Sequence, residues 1–177
     1  MAKYVTFPSS YSLIFAFYLY FIFCPSPSFF YRVQKLEEGA HFNAVNVGPM
    51  SEMGKYETHL GPETVIPGKL FMGPELGLTG AVMSYTCYKP GAVGLLHDHK
   101  THEELYIVLS GTGSFRVDDK IFPICEGSMV RVSPGGKRDI KNTGTTDMLV
   151  QCIQYPANGP LHSISEDGVI LNEKTSW

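Results

Sequence analysis

The sequence has no long run of basic residues, and its 14 Lys and Arg are outnumbered by 17 Asp and Glu, giving a formal net charge of −3. Nucleic-acid-binding surfaces depend on Lys and Arg that neutralise phosphates, so this balance argues against a nucleic-acid partner. Beyond residue 78 the chain also lacks the i, i+3, i+4, i+7 apolar repeat of an amphipathic helix. With 18 Gly and 12 Pro, it favours short strands separated by turns.

Several motifs of enzyme chemistry are also missing. No serine lies in a nucleophile-elbow context, and "GPELGLTG" lacks the strand and helix that flank a dinucleotide-binding glycine loop. The four cysteines, Cys24, Cys87, Cys125 and Cys152, show no CxxC spacing. The last three lie inside apparent strands. We therefore expect free, buried thiols in a reducing compartment, and thus a cytoplasmic protein, rather than a disulfide framework or a zinc site.

The N-terminal segment, residues 1–32, differs in composition from the rest of the chain. It carries no charged residue between Tyr4 and Tyr31 and holds 12 of the 22 aromatic residues. Residues 11–31 could act as a signal or membrane anchor, which would make the protein secreted or membrane-anchored. However, the apolar stretch is short, Pro25 and Pro27 interrupt it, and no clear cleavage site follows. The alternative is an apolar extension that is not part of the domain, for example one translated from a wrongly chosen start.

Strand patterns follow in quick succession after a loop-rich lead-in over residues 33–64. Short strands are predicted at residues 42–47 and 69–72. In "EELYIVLSG", Glu104, Tyr106 and Val108 alternate with apolar residues that point the other way. A tight hairpin is predicted around Asp118. These patterns indicate an all-β sandwich or barrel. The C-terminal tail, residues 161–177, is expected to pack on the barrel.

The stretch "HDHKTHEE" contains a candidate metal site. His97 and His99 alternate, so we expect both on one face of a strand, and Glu104 begins the next strand. Two imidazoles and one carboxylate suit a divalent transition metal such as Fe, Mn, Zn, Ni or Cu. The competing interpretation is a strand end whose histidines are merely solvated. His102 is expected to be exposed, although it could serve as an alternative ligand. Asp98 and Glu103 are expected to point outward as solvated charges.

The spacing around these residues resembles the first motif of the cupin superfamily. Gly91, five residues, His97-x-His99, four residues, Glu104, six residues and Gly111 match that motif at every position. The resemblance covers about residues 65–160. It implies a small single-domain cupin of the RmlC-like type, with a double-stranded β-helix, or jelly-roll-like barrel, a metal in the barrel mouth and a homodimeric assembly.

The second cupin motif is matched with one informative departure. In "GSMVRVSPGGKRDIKN", Gly127, Gly135 and Asn142 stand at the expected positions, while Ser133 replaces the usual proline. Arg138 stands where the family has its fourth ligand, a histidine. A guanidinium stays protonated and offers no lone pair, so Arg138 cannot ligate a metal.

Two outcomes follow for Arg138, which strand alternation points into the barrel. In the first, His97, His99 and Glu104 hold the metal, and Arg138 binds an anionic small-molecule substrate, with Tyr106 lining the pocket. The protein would then be an oxygenase or an isomerase/lyase, if it is catalytic. In the second, an ion pair between Arg138 and Glu104 replaces the metal, and the protein is a small-molecule binding or sensing module. The sequence alone leaves both open.

Overall fold

The computed structural model describes residues 33–60, 62–73 and 76–159. The apolar segment 1–32 and the tail 161–177 lie outside these residues, so the predictions made for them are not addressed here. Within the described part of the chain, no helix is both long enough and apolar enough to span a membrane.

The described residues form a β-protein that includes a short 3₁₀ helix, Met50–Lys55. Its twelve strands are β1 (Gln34–Gly39), β2 (Phe42–Asn46), β3 (Glu57–Leu60), β4 (Thr64–Pro67), β5 (Lys69–Met72), β6 (Val82–Tyr88), β7 (His102–Ser110), β8 (Thr112–Val117), β9 (Lys120–Cys125), β10 (Met129–Val132), β11 (Arg138–Asn142) and β12 (Met148–Pro156). The all-β prediction is confirmed, including the short strands predicted near residues 42–47 and 69–72.

Two antiparallel sheets build the barrel around one core. The larger has the strand order β10-β7-β12-β6-β5, and the smaller has the order β11-β8-β9. The strand pairs β1–β2 and β3–β4 form two further antiparallel sheets. Buried side chains from both large sheets form one apolar cluster: Tyr106, Val108, Phe115, Ile124, Val132, Ile140, Met148, Val150 and Cys152.

The alternation predicted for β7 is what places its side chains. Glu104, Tyr106 and Val108 are buried, while the intervening residues are partly or fully exposed. On β11, Arg138, Ile140 and Asn142 are likewise buried. Since side chains alternate between the two faces of a strand, this pattern places Arg138 and Glu104 on the inward faces of facing elements.

The outer face of the larger sheet is covered in part by the 3₁₀ helix. Met53, from the helix, and Tyr56, which follows it, form a second buried cluster with Cys87 on β6 and Leu149 on β12. Tyr56 also donates a hydrogen bond to the Val47 carbonyl at 2.9 Å. The 3₁₀ helix therefore covers one face of the sheet, while Glu104 lies on the inward face.

One strand prediction was wrong. The segment containing His97 and His99 forms no regular strand and meets β11 only at two isolated bridges, Val93↔Lys141 and His97↔Arg138. Between the two bridges, the histidine segment has three residues (94–96), whereas β11 has two (139 and 140). The extra residue interrupts the pairing in the way that a β-bulge does. The two imidazoles nevertheless reach the same side.

Candidate functional site

Three elements bring the predicted ligands together. Glu104 lies on β7, and β11 carries Arg138 beside the irregular segment that presents His97 and His99. The backbone of His97 exchanges two hydrogen bonds with that of Arg138, at 3.1 and 2.9 Å. This pairing fixes the histidine segment against β11, so the site is assembled by backbone contacts between elements distant in sequence.

The imidazoles of His97 and His99 and the carboxylate of Glu104 form a compact donor group. His99 Nε2 lies 3.2 Å from Glu104 Oε1, and His97 Nε2 lies 3.6 Å from Glu104 Oε2. The three ligand atoms all lie within 4.8 Å of one another, and the imidazoles meet edge to face at 5.3 Å between ring centroids. The predicted convergence of these three residues is therefore present.

The tautomer of His97 is set by its backbone. Its Nδ1 lies 2.8 Å from the Leu95 carbonyl oxygen, which can only accept, so Nδ1 carries a proton and donates it. In a neutral imidazole, Nε2 then presents a lone pair toward Glu104. A hydrogen bond of this kind from the non-ligating nitrogen is the usual way in which proteins orient a metal-binding histidine.

The carboxylate of Glu104 is held by one oxygen. Oε2 accepts hydrogen bonds from Tyr106 Oη at 2.5 Å, from Arg138 Nε at 2.9 Å and from Arg138 Nη2 at 2.5 Å. Arg138 also donates to the Gly136 carbonyl at 3.0 Å, and its side chain is 1% exposed. Oε1 remains on the side of His99. Arg138 thus contacts Oε2, the oxygen that His97 Nε2 also approaches at 3.6 Å, while Oε1 lies toward His99.

Electrostatics keep Glu104 and His99 in the protonation states that metal binding needs. Burial alone would raise the pKa of Glu104, but the hydrogen bonds from Tyr106 and Arg138 and the positive charge of Arg138 outweigh it and hold this pKa well below its usual range. Burial lowers the pKa of His99, with the charge of Arg138 adding to the effect against the opposing carboxylate of Glu104. Glu104 is therefore anionic, and His99 favours its neutral, lone-pair-bearing form.

The remaining predicted residues are placed as follows. Tyr106 lies beside Glu104 in the cavity wall. His102 contacts Thr101 through its Nδ1 at 3.0 Å and lies outside the donor group. Asp98 is exposed, as predicted.

The expectation that Glu103 is a solvated charge was wrong. Its carboxylate accepts a hydrogen bond from Arg131 Nε at 2.9 Å and another from Tyr155 Oη at 3.1 Å. Arg131 lies on β10 and Tyr155 on β12, the two strands that flank β7 in the sheet. These are tertiary contacts that alternation along β7 alone does not reveal.

The donor group opens into a cavity of about 540 Å³ between the two sheets. Apolar side chains make up much of its wall, including Val65, Phe71, Val93, Leu95, Ile140 and Val150. One cation in this wall, Lys69 on β5, was missed by the sequence interpretation. The position of a lone lysine in a short strand is set only by the pairing of that strand with β6, so no local signal could have found it.

Comparison with known proteins agrees with this architecture. Residues 84–154 match the family described as "Cupin domain". An uncharacterized protein of Methanocaldococcus jannaschii is 33% identical over 66 residues, which are 37% of this chain and 53% of that protein. The chain thus spans about half the length of this curated relative.

Among solved structures, the crystal structure of a cupin protein from Bacteroides fragilis is 32% identical to the chain. The match has a TM-score of 0.56 and covers 58% of this chain and 88% of that one. The fold predicted from the two sequence motifs, a double-stranded β-helix, is thereby confirmed.

Proposed function

The chain belongs to the cupin superfamily, and on that premise we propose that it binds a divalent transition metal through His97, His99 and Glu104 and acts on a small molecule inside the barrel. One observation carries the proposal. The three donor residues converge, while the competing cation, Arg138, contacts Oε2 of Glu104, which His97 also approaches, and leaves Oε1 on the side of His99.

The donor set fits such an ion in spacing and in chemistry. Ligand atoms about 2.0–2.2 Å from a shared metal lie roughly 3 to 3.5 Å from each other. The separation of 3.2 Å between His99 Nε2 and Glu104 Oε1 lies within that range, and the separation of 3.6 Å between His97 Nε2 and Glu104 Oε2 lies just above it. Two imidazoles and one carboxylate form a set used by iron, manganese, zinc, nickel and copper, so the residues alone do not select among these metals.

The residues of the chain have definite roles around that ion. A divalent metal held by three protein ligands keeps open positions and supplies Lewis-acid or redox chemistry. Arg138 and Tyr106 fix the orientation of Glu104 and keep it anionic, and the Leu95 carbonyl orients His97. The apolar walls exclude water from the bound molecule. An oxygenase and an isomerase or lyase are the two reaction classes that this arrangement supports.

A second candidate is favoured by the buried pair itself. Arg138 already balances the charge of Glu104, so the buried carboxylate has a charge partner without a metal. The barrel would then bind or sense a small molecule without catalysis.

Metal analysis decides between the two candidates. The purified, tag-free chain is incubated with each of the five metals, dialysed and analysed for metal per chain, together with His99→Ala and the matched control His41→Ala. His41 is exposed and follows the β1 strand, away from the cavity. We expect about one metal per chain in the wild type and control, and at least tenfold weaker binding for H99A, since each ligand contributes strongly to affinity. A wild-type chain without stoichiometric metal under all five conditions would support the metal-free candidate instead.

A further inference from the structure

Lys69 lies on the inward face of the larger sheet. Its partner on β6 is Thr86. Across the next two strands of the sheet, Thr86 pairs with Val150 on β12, and Val150 pairs with Val108 on β7. Thr86, Val150 and Val108 are all buried. Because residues directly opposite in neighbouring strands share one face, the Lys69 side chain belongs to the same inner surface. It contributes directly to the cavity wall.

Among the residues that the structure describes, Lys69 differs from the other cations of the cavity wall in having no anionic partner within ion-pairing distance. Lys89 Nζ lies 2.6 Å from Asp147 Oδ2, and Arg138 is paired with Glu104. Lys69 Nζ makes a long contact with Thr86 Oγ1 at 3.4 Å and lies 4.6 Å from the centroid of the Phe71 ring. Within the described ranges, no carboxylate lies at ion-pairing distance from this amine.

An unpaired ammonium group in a largely apolar wall is costly, since burial of a charge without a partner disfavours folding. Burial accordingly lowers the pKa of Lys69, and the nearby Cys152 and Glu104 offset this only in part. A Leu or Met at this position would fill the same space at lower cost. The amine is therefore best explained by something it binds.

We propose that Lys69 binds the carboxylate group of the small molecule held in the cavity, while the apolar body of that molecule lies along Val65, Val93 and Leu95. The inference rests on the proposed function only in placing a small molecule in this cavity. It transfers the anion-binding role predicted for Arg138 to Lys69, because the Arg138 side chain is 1% exposed and donates to Glu104 and Gly136.

The chemistry of the site favours a carboxylate over a phosphate. One amine and the neighbouring Thr86 hydroxyl offer few donors and a single positive charge. Phosphate sites usually add a guanidinium fork or several backbone amides. The apolar residues toward the opening, Val65, Val93 and Leu95, are each about half exposed, which suits the hydrocarbon part of an amphipathic acid.

Hexanoate and hexanamide are a matched pair of probes, since they share the apolar body and differ in charge. Binding of each is measured by calorimetry to the full chain as purified, and again after removal of metal with a chelator. The second condition removes direct coordination of hexanoate by a metal. The variants are Lys69→Met, Lys69→Arg, which keeps the charge, and the control Lys120→Met, from the exposed start of β9 outside the cavity.

We expect hexanoate to bind the wild type and K120M equally, and K69M at least tenfold more weakly, since a charge-assisted hydrogen bond is lost. K69R should retain most of the affinity, and hexanamide should bind the wild type as weakly as hexanoate binds K69M. Equal hexanoate affinity in K69M and the wild type would overturn the proposal. The same holds if no hexanoate binds up to its solubility limit.

A second measurement needs no variant. Acetic anhydride acetylates exposed amines, and peptide mass spectrometry reads each lysine separately. Hexanoate should slow the acetylation of Lys69 and leave that of Lys120 unchanged, whereas hexanamide should protect neither. Absence of protection would count against the carboxylate site even if K69M failed to fold.

The outcome for Lys69 is separable from that for the metal. Metal per chain is measured on the same samples, and K69M should keep the metal content of the wild type. Hexanoate binding that depends on Lys69, in a chain that takes up none of the five metals, would support the carboxylate site and refute the metal proposal. A chain that holds metal but does not bind hexanoate would support the metal proposal and refute the carboxylate site.

Discussion

Arg138 and Glu104 form a buried ion pair in which both guanidinium contacts go to a single carboxylate oxygen. Nε and Nη2 of Arg138 lie 2.9 Å and 2.5 Å from Oε2 of Glu104, and the two side chains are 1% and 8% exposed. The pair balances the carboxylate charge and leaves Oε1 facing His99. Arg138 thus stands where the family has its fourth ligand, and it orients the carboxylate of Glu104.

Replacing Arg138 by methionine should destabilise the chain by about 3–5 kcal/mol, because it leaves Glu104 buried without its charge partner. The measurement is urea unfolding in the presence of a chelator. Arg131→Met is the matched control, since Arg131 also pairs with a glutamate, Glu103, but is half exposed. The R131M variant should lose much less unfolding free energy than R138M, because exposed ion pairs contribute little to stability. Similar losses for the two variants would contradict a special role for the buried pair.

Arg138→His tests the site from the other direction. A histidine here places an imidazole on the inward face of β11, next to Glu104. This is the position at which the cupin family has its fourth ligand. We expect metal affinity to rise by at least about tenfold, because a neutral donor replaces a cation near the ion. Competition with a chelator of known affinity measures the change. A lower affinity would mean that the hold of Arg138 on Glu104 matters more than an added ligand.

Lys69 should make stability depend on pH in a predictable direction. Because its folded pKa is lowered, the unfolded chain binds more protons between that pKa and the unfolded value near about 10.4, so stability rises with pH in this window. The titratable groups that act on it are Cys152 and Glu104, and both remain in Lys69→Met. We therefore expect K69M to be more stable than the wild type near neutrality, and the difference to shrink toward about pH 10. Urea unfolding at several pH values measures it, and a constant difference would argue that Lys69 is neutral or solvated throughout.

Where the structure follows local strand periodicity, the sequence predicted it well. Alternation along β7 put Glu104 and Tyr106 inside the barrel, and alternation along β11 did the same for Arg138. The hairpin between β8 and β9 follows from two strand patterns that flank a two-residue turn, where Asp118 adopts φ 53°. Each of these features depends on residues that are close together in the chain.

The features that the sequence did not predict depend on contacts between distant elements. The bulge before His97 arises from its register against β11, and the environment of Glu103 depends on the strands on both sides of β7. Lys69 is the clearest case, since its inward direction follows from the pairing of β5 with β6. Alternation with a period of two residues predicts which face of a strand a side chain lies on, but it does not predict which strands pair with that strand.

Thiol labelling should separate the described cysteines by burial. Cys152 is buried, and burial together with the charge of Glu104 raises its pKa to about 12, so it stays protonated and unreactive at neutral pH. Cys125 is exposed on β9, contrary to the expectation of a buried thiol. We expect iodoacetamide to modify Cys125 well before Cys152 in the folded chain, and both at similar rates in urea. Peptide mass spectrometry reads each site, and rapid labelling of Cys152 in the folded chain would show that the cavity opens.

Gly91 and Gly111, the glycines at the two ends of the histidine motif, should differ sharply in their tolerance of alanine. Both have a positive φ, 79° at Gly91 and 86° at Gly111, so alanine is strained at each by about 1–2 kcal/mol. At Gly111 a Cβ would also lie 2.7 Å from Met148 Cα and 2.9 Å from the Asp147 carbonyl oxygen, whereas at Gly91 nothing lies within 4 Å. Because backbone atoms of β12 would have to move, G111A should lose about 1–3 kcal/mol more than G91A. Urea unfolding of both variants measures the gap, and equal losses would mean that the chain between β7 and β8 can shift away from β12 without cost.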